Sequence, residues 1–504
     1  MNRKSKVYIV GAGPGSAGFI SVRGLQILQQ ADCVIYDRLI GNELLNLIPQ
    51  KAQLVYVGKD HSENSLGQDE INQIIVEKTQ IYKKIVRLKG GDPMIFGRAS
   101  EELKCLTDNK IDFEIIPGIT AASAAAASCG VVLTDRNTAS SVTYITGQAA
   151  ACGEHGRTNG KETDIDFASL VKLNGTIVFY MAVKNMDKIC QRLITAGLAP
   201  DTNAFVVANA CLANQRIVKG TVSDIAEKCT DEKIEPPAVL IIGKDCFSWF
   251  EKLPLFGKRI LITRDSDGNA ELACKLAARG ARAIEYPAFK IQDLTDSEEF
   301  KGAVKEITNF DWVFFTSPRG VKLFFAALDK LNKDARVFGA AKIACIGSQT
   351  AAELDNFGIK ADFTPEIFTS VEFAKSFIKE HNPAGKKILL SRSALANNEL
   401  TEKLIAAGAK VTQVSIYSAE KIKNDVSSLA RQFKADEIDW ITFASSFAVK
   451  CFFEDFDSKG LRKVKIASIG PTTTDTLKKN GITPAVEPAE HTIDGLIDAM
   501  ENAK

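Results

Sequence analysis

Short apolar runs, each stopped by Gly, Pro or a polar turn, alternate along this chain with longer stretches whose apolar positions keep helical spacing. In the first half the runs are "KVYIV", "CVIYD", "KIVRL", "FEIIP", "SSVTYITG", "GTIVFYM", "NAFVVAN" and "PPAVLIIG". Residues 17–30 read as the helix after the first run, and "GITAASAAAASCG" as a helix of small residues that another element can approach closely. The stretch 149–166 is polar and Gly-bearing and predicts an exposed loop. Strand and helix signals in alternation predict the α/β class.

The second half repeats itself. "GKRILITR" (257–264) and "GKKILLSR" (385–392) lie 128 residues apart, and the same offset joins "DWVFFTS" (311–317) to "DWITFAS" (439–445). With a slip of five, "IACIGSQT" (343–350) matches "IASIGPTT" (466–473). One architecture occurring twice predicts two lobes, each a doubly wound parallel sheet. Lobe one takes 257–290 plus 418–504 and lobe two 293–415, with a cleft between them. Ser and Thr gather just after the strands, among them Ser317, Ser445, Thr472 and Thr473. Each can be a helix cap; together, at equivalent places in both lobes, they can line a site for a carboxylate-rich ligand.

Composition narrows the chemistry. Lys plus Arg (63) nearly cancels Asp plus Glu (62), so no global field draws nucleic acid or an anionic membrane. Eleven cysteines without a C-x-x-C pair, and four histidines far apart, give neither a disulfide framework nor metal-ligand spacing. The apolar part of "MNRKSKVYIVGAG" is too short for a signal peptide, and "ITAASAAAASCGVVL" too short and too weakly apolar for a membrane span. These features predict a soluble, cytoplasmic protein that uses no metal.

Two glycine clusters carry candidate chemistry. "VYIVGAGPGS" (7–16) places Gly11 and Gly13 as a dinucleotide loop would, but the last position is Ser16, and Pro14-Gly15 bends the chain where a helix should open. A dehydrogenase reading stays open on that loop with Asp37 as the ribose acid, although an arginine sits beside it. "VRLKGGDPMIFGR" (86–98) competes: Gly90 and Gly91 end a strand where a ligand can touch the backbone, Asp92 can accept a hydrogen bond, and Pro93 fixes the turn. "PGITAAS" (117–123) offers a further tight turn into a helix, and a purely structural turn is the alternative for each.

In order along 6–243, "VYIVGAGPGS", "VIYDRLI", "VGK", "QDEIN", "RLKGGDPMIFGR", "EIIPGITAAS", "LTDR", "SVTYITG", "GTIVFYM", "NQRIVKGT" and "PPAVLIIG" resemble the tetrapyrrole methylases, specifically uroporphyrinogen-III C-methyltransferases. The resemblance implies two α/β subdomains with S-adenosyl-L-methionine, the methyl donor, between them. Its neighbours would be Pro14, Gly90, Gly91, Asp92, Ile95, Thr120, Ala121 and Met181, with Ala210 and Ala238 on the adenine side. Asp37 and Lys59 match the family's acid–base pair, and Arg38 and Arg136 would hold substrate carboxylates. Two departures stand out: Ala208-Asn209-Ala210 replaces the family's "ENG", and Asp60 follows Lys59 where the family has arginine.

Over 257–504, "ILITR", "FFTSPRGV", "IGSQTAAEL", "LLSRSALANNEL", "IYSA", "FASSFAV" and "IGPTTTDTL" resemble the uroporphyrinogen-III synthases. That resemblance implies hydroxymethylbilane as substrate, closed into a ring with the last pyrrole inverted. Tyr417 is its candidate to assist loss of the hydroxyl, a packed hinge aromatic being the alternative. Arg264 and Arg392, each closing a first strand, can face substrate carboxylates or be surface arginines.

The chain is therefore expected to have a methyltransferase domain at 1–243, a linker at 244–256 packed by its aromatics, and a synthase domain at 257–504. Uroporphyrinogen III made by one half would be methylated twice by the other, towards sirohaem or cobalamin. Two such sites on one chain raise the expectation of channelling. A homodimer through the methyltransferase domain is expected, with no nucleic-acid or membrane partner. The rival reading is a methylase of another tetrapyrrole or of RNA, fused to a two-lobed binding module.

Overall fold

The apolar runs of the first half form two sheets in a computed structural model, which describes every residue except 1–4, 50, 59–65, 151–156, 159–160, 163–164, 244, 425, 462 and 504. Strands β1 (Lys6–Gly11), β2 (Cys33–Tyr36), β3 (Gln53–Tyr56), β4 (Lys84–Lys89) and β5 (Asp112–Ile116) make the first sheet, in the order β3-β2-β4-β1-β5. Every pairing in it is parallel. Its inner strands β1 and β2 are apolar on both faces because both faces are covered. Tyr8, Val10, Val34, Val86 and Leu88 enter one core cluster, and Val7, Ile9, Cys33, Ile35 and Ile85 enter another.

The second sheet holds β6 (Val142–Thr146), β9 (Thr176–Tyr180), β10 (Asn203–Ala208), β11 (Arg216–Thr221) and β12 (Ala238–Ile242) in the order β11-β10-β12-β9-β6. Between β6 and β9, where a loop was expected, the described residues include a two-residue ladder of β7 (Arg157–Thr158) and β8 (Lys161–Glu162). Only β6 and β9 run parallel in the larger sheet; its other pairings are antiparallel. The short connection from β10 to β11 explains one of these, since a parallel crossover needs a dozen residues or more.

The second half supplies β13 (Arg259–Ile262), β14 (Arg282–Glu285), β15 (Phe289–Asp293), β16 (Trp312–Phe315), β17 (Lys342–Cys345), β18 (Lys387–Ser393), β19 (Lys410–Lys421), β20 (Trp440–Phe443) and β21 (Lys465–Ser468). They form one sheet ordered β14-β13-β20-β21 and another ordered β15-β19-β18-β16-β17. Carried over by the internal repeat, β14-β13-β20-β21 becomes β19-β18-β16-β17, so the two sheets share one strand order and β15 is the addition.

Asp439 and Asp311 make the repeat physical. Asp439 Oδ2 accepts the Arg259 amide at 2.7 Å, and Asp311 Oδ2 accepts the equivalent Lys387 amide at 2.8 Å. In both sheets the Asp before a central strand thereby fixes the register of its neighbour.

The chain divides into two compact units, 1–287 with 425–504 and 288–424. The second is lobe two, somewhat longer than the expected 293–415, because β15 pairs antiparallel with the far half of β19, from Phe289↔Lys421 to Asp293↔Tyr417. Lobe two is thus not wholly parallel. Its core centres on Phe300, Phe315, Phe324 and Phe338, with ring centroids 5.2 Å apart for Phe300–Phe324 and Phe315–Phe324.

Within the first unit the linker is stitched down. Phe247 donates its amide to Gly130 O at 2.9 Å, Trp249 Nε1 donates to Ala127 O at 2.7 Å, and Leu255 donates its amide to Arg279 O at 3.0 Å. Gly130 has φ +72°, and a Cβ there would come within 3.0 Å of the Phe247 backbone, so this crossing requires glycine. Phe250 meets Trp249 and Phe256 edge to face, the packed aromatic linker that the sequence predicts.

Candidate active sites

Ligands of parallel α/β sheets bind beyond the carboxyl ends of the strands, and in the first sheet three glycine turns meet there. Gly13, two residues past β1, and Gly91, two past β4, form an antiparallel bridge. Gly91 N–H reaches Gly13 O at 2.7 Å, and Gly13 N–H reaches Gly91 O at 3.2 Å. Gly118, two past β5, lies against the same turns: a Cβ on it would stand 2.3 Å from Gly91 O and 2.8 Å from Gly11 Cα. Gly11 and Gly13 are therefore explained by backbone packing on backbone, without a dinucleotide. Asp92 ties the turns together, its Oδ2 accepting Gly118 N–H at 3.1 Å and its Oδ1 accepting Met94 N–H at 2.7 Å.

A wall from the second sheet completes this corner of the first unit. Tyr180, the last residue of β9, places its hydroxyl 2.6 Å from Thr120 Oγ1 and accepts the Ala122 amide at 3.1 Å. The phenol thus serves the start of the helix Ala121–Cys129, where Thr120 makes no side-chain cap. Burial pushes the Tyr180 hydroxyl above its ordinary value, with the Thr120 bond opposing. Ile95, Ala121 and Ala210 pack on the cluster that contains Tyr180, and Ala238 opens β12 opposite Ala208. Pro14, Gly90, Gly91, Asp92 and Thr120 are half-buried, and Met181 is exposed. The Ala208-Asn209-Ala210 departure is unstrained: the left-handed residues of this turn are Asn209 and Cys211, so Ala210 needs no glycine.

Asp37 sits just past β2. Its Oδ1 accepts Leu39 N–H at 3.1 Å, and its Oδ2 lies 3.5 Å from Arg87 Nη2. This turn abuts the Gly90 turn, where a Cβ would come within 2.8 Å of Leu39 Cβ. Arg38 and Arg136 are both exposed. Lys59 and Asp60 lie outside the described residues.

Between the first half and lobe one, inside the first unit, is a cavity of about 910 Å³. Glu43, Arg282 and Glu285 line it. Glu43 accepts from Ser16 Oγ and the Ala17 amide, both at 3.1 Å, and Asn46 Nδ2 donates to Glu285. Burial raises the Glu285 carboxyl above its usual range; the Asn46 bond opposes this and the Glu43 charge adds to it. Two carboxylates against one guanidinium make a poor passage for a polycarboxylate, so this cavity lends no support to channelling.

In lobe two, Ser317 caps the helix Pro318–Lys330 by accepting Gly320 N–H at 3.0 Å, and its Oγ lies 3.1 Å from Tyr417 OH. A bulge in the β18–β19 ladder, where Arg392 faces Ser415 but Ser393 faces Tyr417, re-aims the chain at this point. Tyr417 therefore belongs to β19 of lobe two, beyond the expected limit of 415, and packs against that lobe's core. Arg392 is only 2% exposed and donates to Asn397 O at 2.6 Å and to Thr401 Oγ1 at 3.4 Å, so it is not the surface arginine that the sequence allowed. In lobe one the equivalent Arg264 donates to Gly268 O at 3.2 Å and lies 3.5 Å from Glu271. Arg392 is folded onto the loop after its strand and Arg264 onto the first turns of the helix Ser266–Ala277, so neither presents an open carboxylate fork. Ser445 caps the helix Ser446–Asp455 through the Ala448 amide at 3.1 Å; Thr472 is exposed and Thr473 buried.

Comparison with known proteins places both halves. Residues 6–226 match the family described as Tetrapyrrole (Corrin/Porphyrin) Methylases, and 270–498 match Uroporphyrinogen-III synthase HemD. The Porphyrin biosynthesis protein HemD of Ruminiclostridium josui is 37% identical over 499 residues, covering 98% of this chain and 97% of that protein. The chain belongs to the family of fused tetrapyrrole methylases and uroporphyrinogen-III synthases. The Uroporphyrinogen-III C-methyltransferase of Bacillus subtilis (strain 168) is 37% identical over 70% of this chain and 71% of its own length. Among solved structures, Uroporphyrin-III C-methyl transferase from Thermus thermophilus, complexed with S-adenyl homocysteine, aligns with TM-score 0.39 and 30% identity over 47% of this chain and 92% of that one.

The methylase half holds three polar residues that the motif reading passed over: Tyr180, Arg87 and Glu102. A signal for the second was present, since Arg87 and Lys89 interrupt an apolar strand at alternate positions and so share one face. Glu102 carried no such mark, because only the fold brings the helix Ala99–Asp108 against that face.

Proposed function

We propose that this chain closes hydroxymethylbilane to uroporphyrinogen III with inversion of the last ring, and methylates that product twice, at C2 and C7, to precorrin-2. The observation that carries the methylase reading is the Gly13–Gly91 bridge beside Gly118, faced by Tyr180 and Thr120. It makes a corner of small residues with a carboxylate at its edge. S-adenosylmethionine suits that corner: Gly91, Ala121, Ala210 and Ala238 are half-buried, and each Asp92 oxygen takes one backbone N–H and keeps acceptor capacity. When bound, it supplies an electrophilic methyl on a sulfonium. The chain's part is to align the pyrrole carbon with that methyl and to take the proton released when the new C–C bond has formed. Asp37 is assigned as the acceptor, with Lys59 as its partner, and Arg38 and Arg136 hold substrate carboxylates. In the synthase half Tyr417, with Ser317 at its hydroxyl, assists departure of the bilane hydroxyl, and Ser445, Thr472 and Thr473 serve as donors to carboxylates. The product feeds sirohaem or cobalamin.

The test is to incubate the full chain with hydroxymethylbilane, with and without S-adenosylmethionine. Type III porphyrin after oxidation is expected without the donor, and a dimethylated product with it. Type I porphyrin alone would refute the synthase assignment. Failure to methylate supplied uroporphyrinogen III would refute the other.

A further inference from the structure

Behind Asp37 the first sheet buries a set of charges to which the reaction described so far gives no task. Arg87 and Lys89 leave one face of β4 and are 4% and 5% exposed. The helix Ala99–Asp108 brings Glu102, fully buried, against them. Glu102 Oε1 accepts from Lys89 Nζ at 2.8 Å, from Arg87 Nε at 3.1 Å and from Gln68 Nε2 at 3.5 Å. Its Oε2, also buried, has no partner among the described residues. Arg87 Nη1 is bound to Leu88 O at 3.1 Å and Ile35 O at 3.5 Å, which leaves Nη2 directed at Asp37 Oδ2, 3.5 Å away.

Burying such a set costs desolvation that apolar side chains would avoid, so stability alone is a weak reason for it. Burial also lowers the Lys89 ammonium from its ordinary value, Arg87 adding to the effect and Glu102 opposing it. The geometry supplies another reason. The guanidinium is planar, and with Nε on Glu102 and Nη1 on two carbonyls it cannot turn. Asp37 is then hydrogen-bonded at one oxygen by Leu39 N–H and ion-paired at the other with Arg87.

We propose that Arg87 is a positioning residue for methyl transfer: locked by Glu102 and Lys89, it sets the direction in which the Asp37 carboxylate faces the cleft. This rests on the assignment of Asp37 as proton acceptor. Arg87 touches neither substrate nor donor and acts through Asp37.

The test uses the full chain with supplied uroporphyrinogen III and S-adenosylmethionine. In Arg87→Lys the cation opposite Glu102 is kept, but an ammonium cannot hold Glu102 and Asp37 together. The methyl-transfer kcat should fall roughly 10- to 100-fold. KM for the tetrapyrrole and the Kd of S-adenosylhomocysteine should stay within about twofold, as should synthase turnover of the same sample. Combined with Asp37→Asn, Arg87→Lys should add no further loss. Glu102→Gln, which loosens the guanidinium from the other side, should reproduce part of the kcat loss. Wild-type kcat in both Arg87→Lys and Glu102→Gln, while Asp37→Asn is impaired, would overturn the role of Arg87. So would a double variant whose loss is the product of the two single losses. Wild-type kcat in Asp37→Asn would instead overturn the assignment of Asp37 itself.

Discussion

Gly118→Ala is the sharpest perturbation of the methylase site. The added methyl would lie 2.3 Å from Gly91 O, 2.8 Å from Gly11 Cα and 2.9 Å from Gly11 C, all backbone atoms that no rotamer change can move. Restoring ordinary contact requires the turns after β1, β4 and β5 to part by about 1 Å, since close-packed interiors have no slack to absorb it. Overpacking of this kind costs roughly 1–3 kcal/mol. The parting also opens the two Gly13–Gly91 hydrogen bonds, each worth about 0.5–1.5 kcal/mol net. The sum is roughly 2–6 kcal/mol, or a fall of about 4–24 °C in the melting of a domain of this size. Differential scanning calorimetry of the full chain should show the loss in the transition of the first unit, while titration with S-adenosylhomocysteine shows weakened binding and synthase turnover persists. Gly18→Ala is the control, because nothing lies within 4 Å of its added Cβ. A Gly118→Ala protein that melts and binds S-adenosylhomocysteine as wild type does would refute the interlocked-turn account.

Other outcomes follow from the lobes and the linker. Tyr417→Phe removes the hydroxyl that meets Ser317 and should slow ring closure on the order of 10²-fold, with methylation of supplied uroporphyrinogen III unchanged; equal synthase rates would remove Tyr417 from the mechanism. Burial pushes the Asp439 carboxyl up, but the Arg259 guanidinium and amide more than offset it; for Asp311 the Lys387 amide dominates, and both stay below their ordinary 3.8. A depressed folded value means stabilisation that is complete above 3.8 and lost as pH falls through the folded value. Urea unfolding below pH 3.8 should therefore show a shallower loss of stability in Asp311→Asn and Asp439→Asn than in wild type, and identical slopes would exclude these two ties. Trp249→Ala cuts the bond to Ala127 O and should open the linker to limited proteolysis while both activities remain; a linker as resistant as wild type would show that the tryptophan does not hold it.

The family was legible from collinear motifs, and the two-lobed plan from the 128-residue repeat. "DW" in both copies even marked the aspartates that later prove to cap the neighbouring strand. Partners distant in sequence were not legible. Asp37 and Glu102 are joined through Arg87 only because β2, β4 and the following helix converge, and nothing in local spacing encodes that. Arg264 and Arg392 show the converse: their place at strand ends suited carboxylate recognition, yet each side chain finds acceptors nearby, Arg264 in the following helix and Arg392 in the following loop.

By itself, then, the sequence marked the apolar runs that become the inner strands, because apolar periodicity and turn residues act locally, and it determined the family through ordered motifs; it did not mark β3, β11 or the β7–β8 ladder. The tertiary structure alone decided that the glycines of three separate turns are needed for one another, and that Tyr180 stands in for a missing helix cap. It also decided that a buried arginine reaches Asp37. Backbone packing and desolvated charge depend on which distant surfaces meet, and one-dimensional order does not record that.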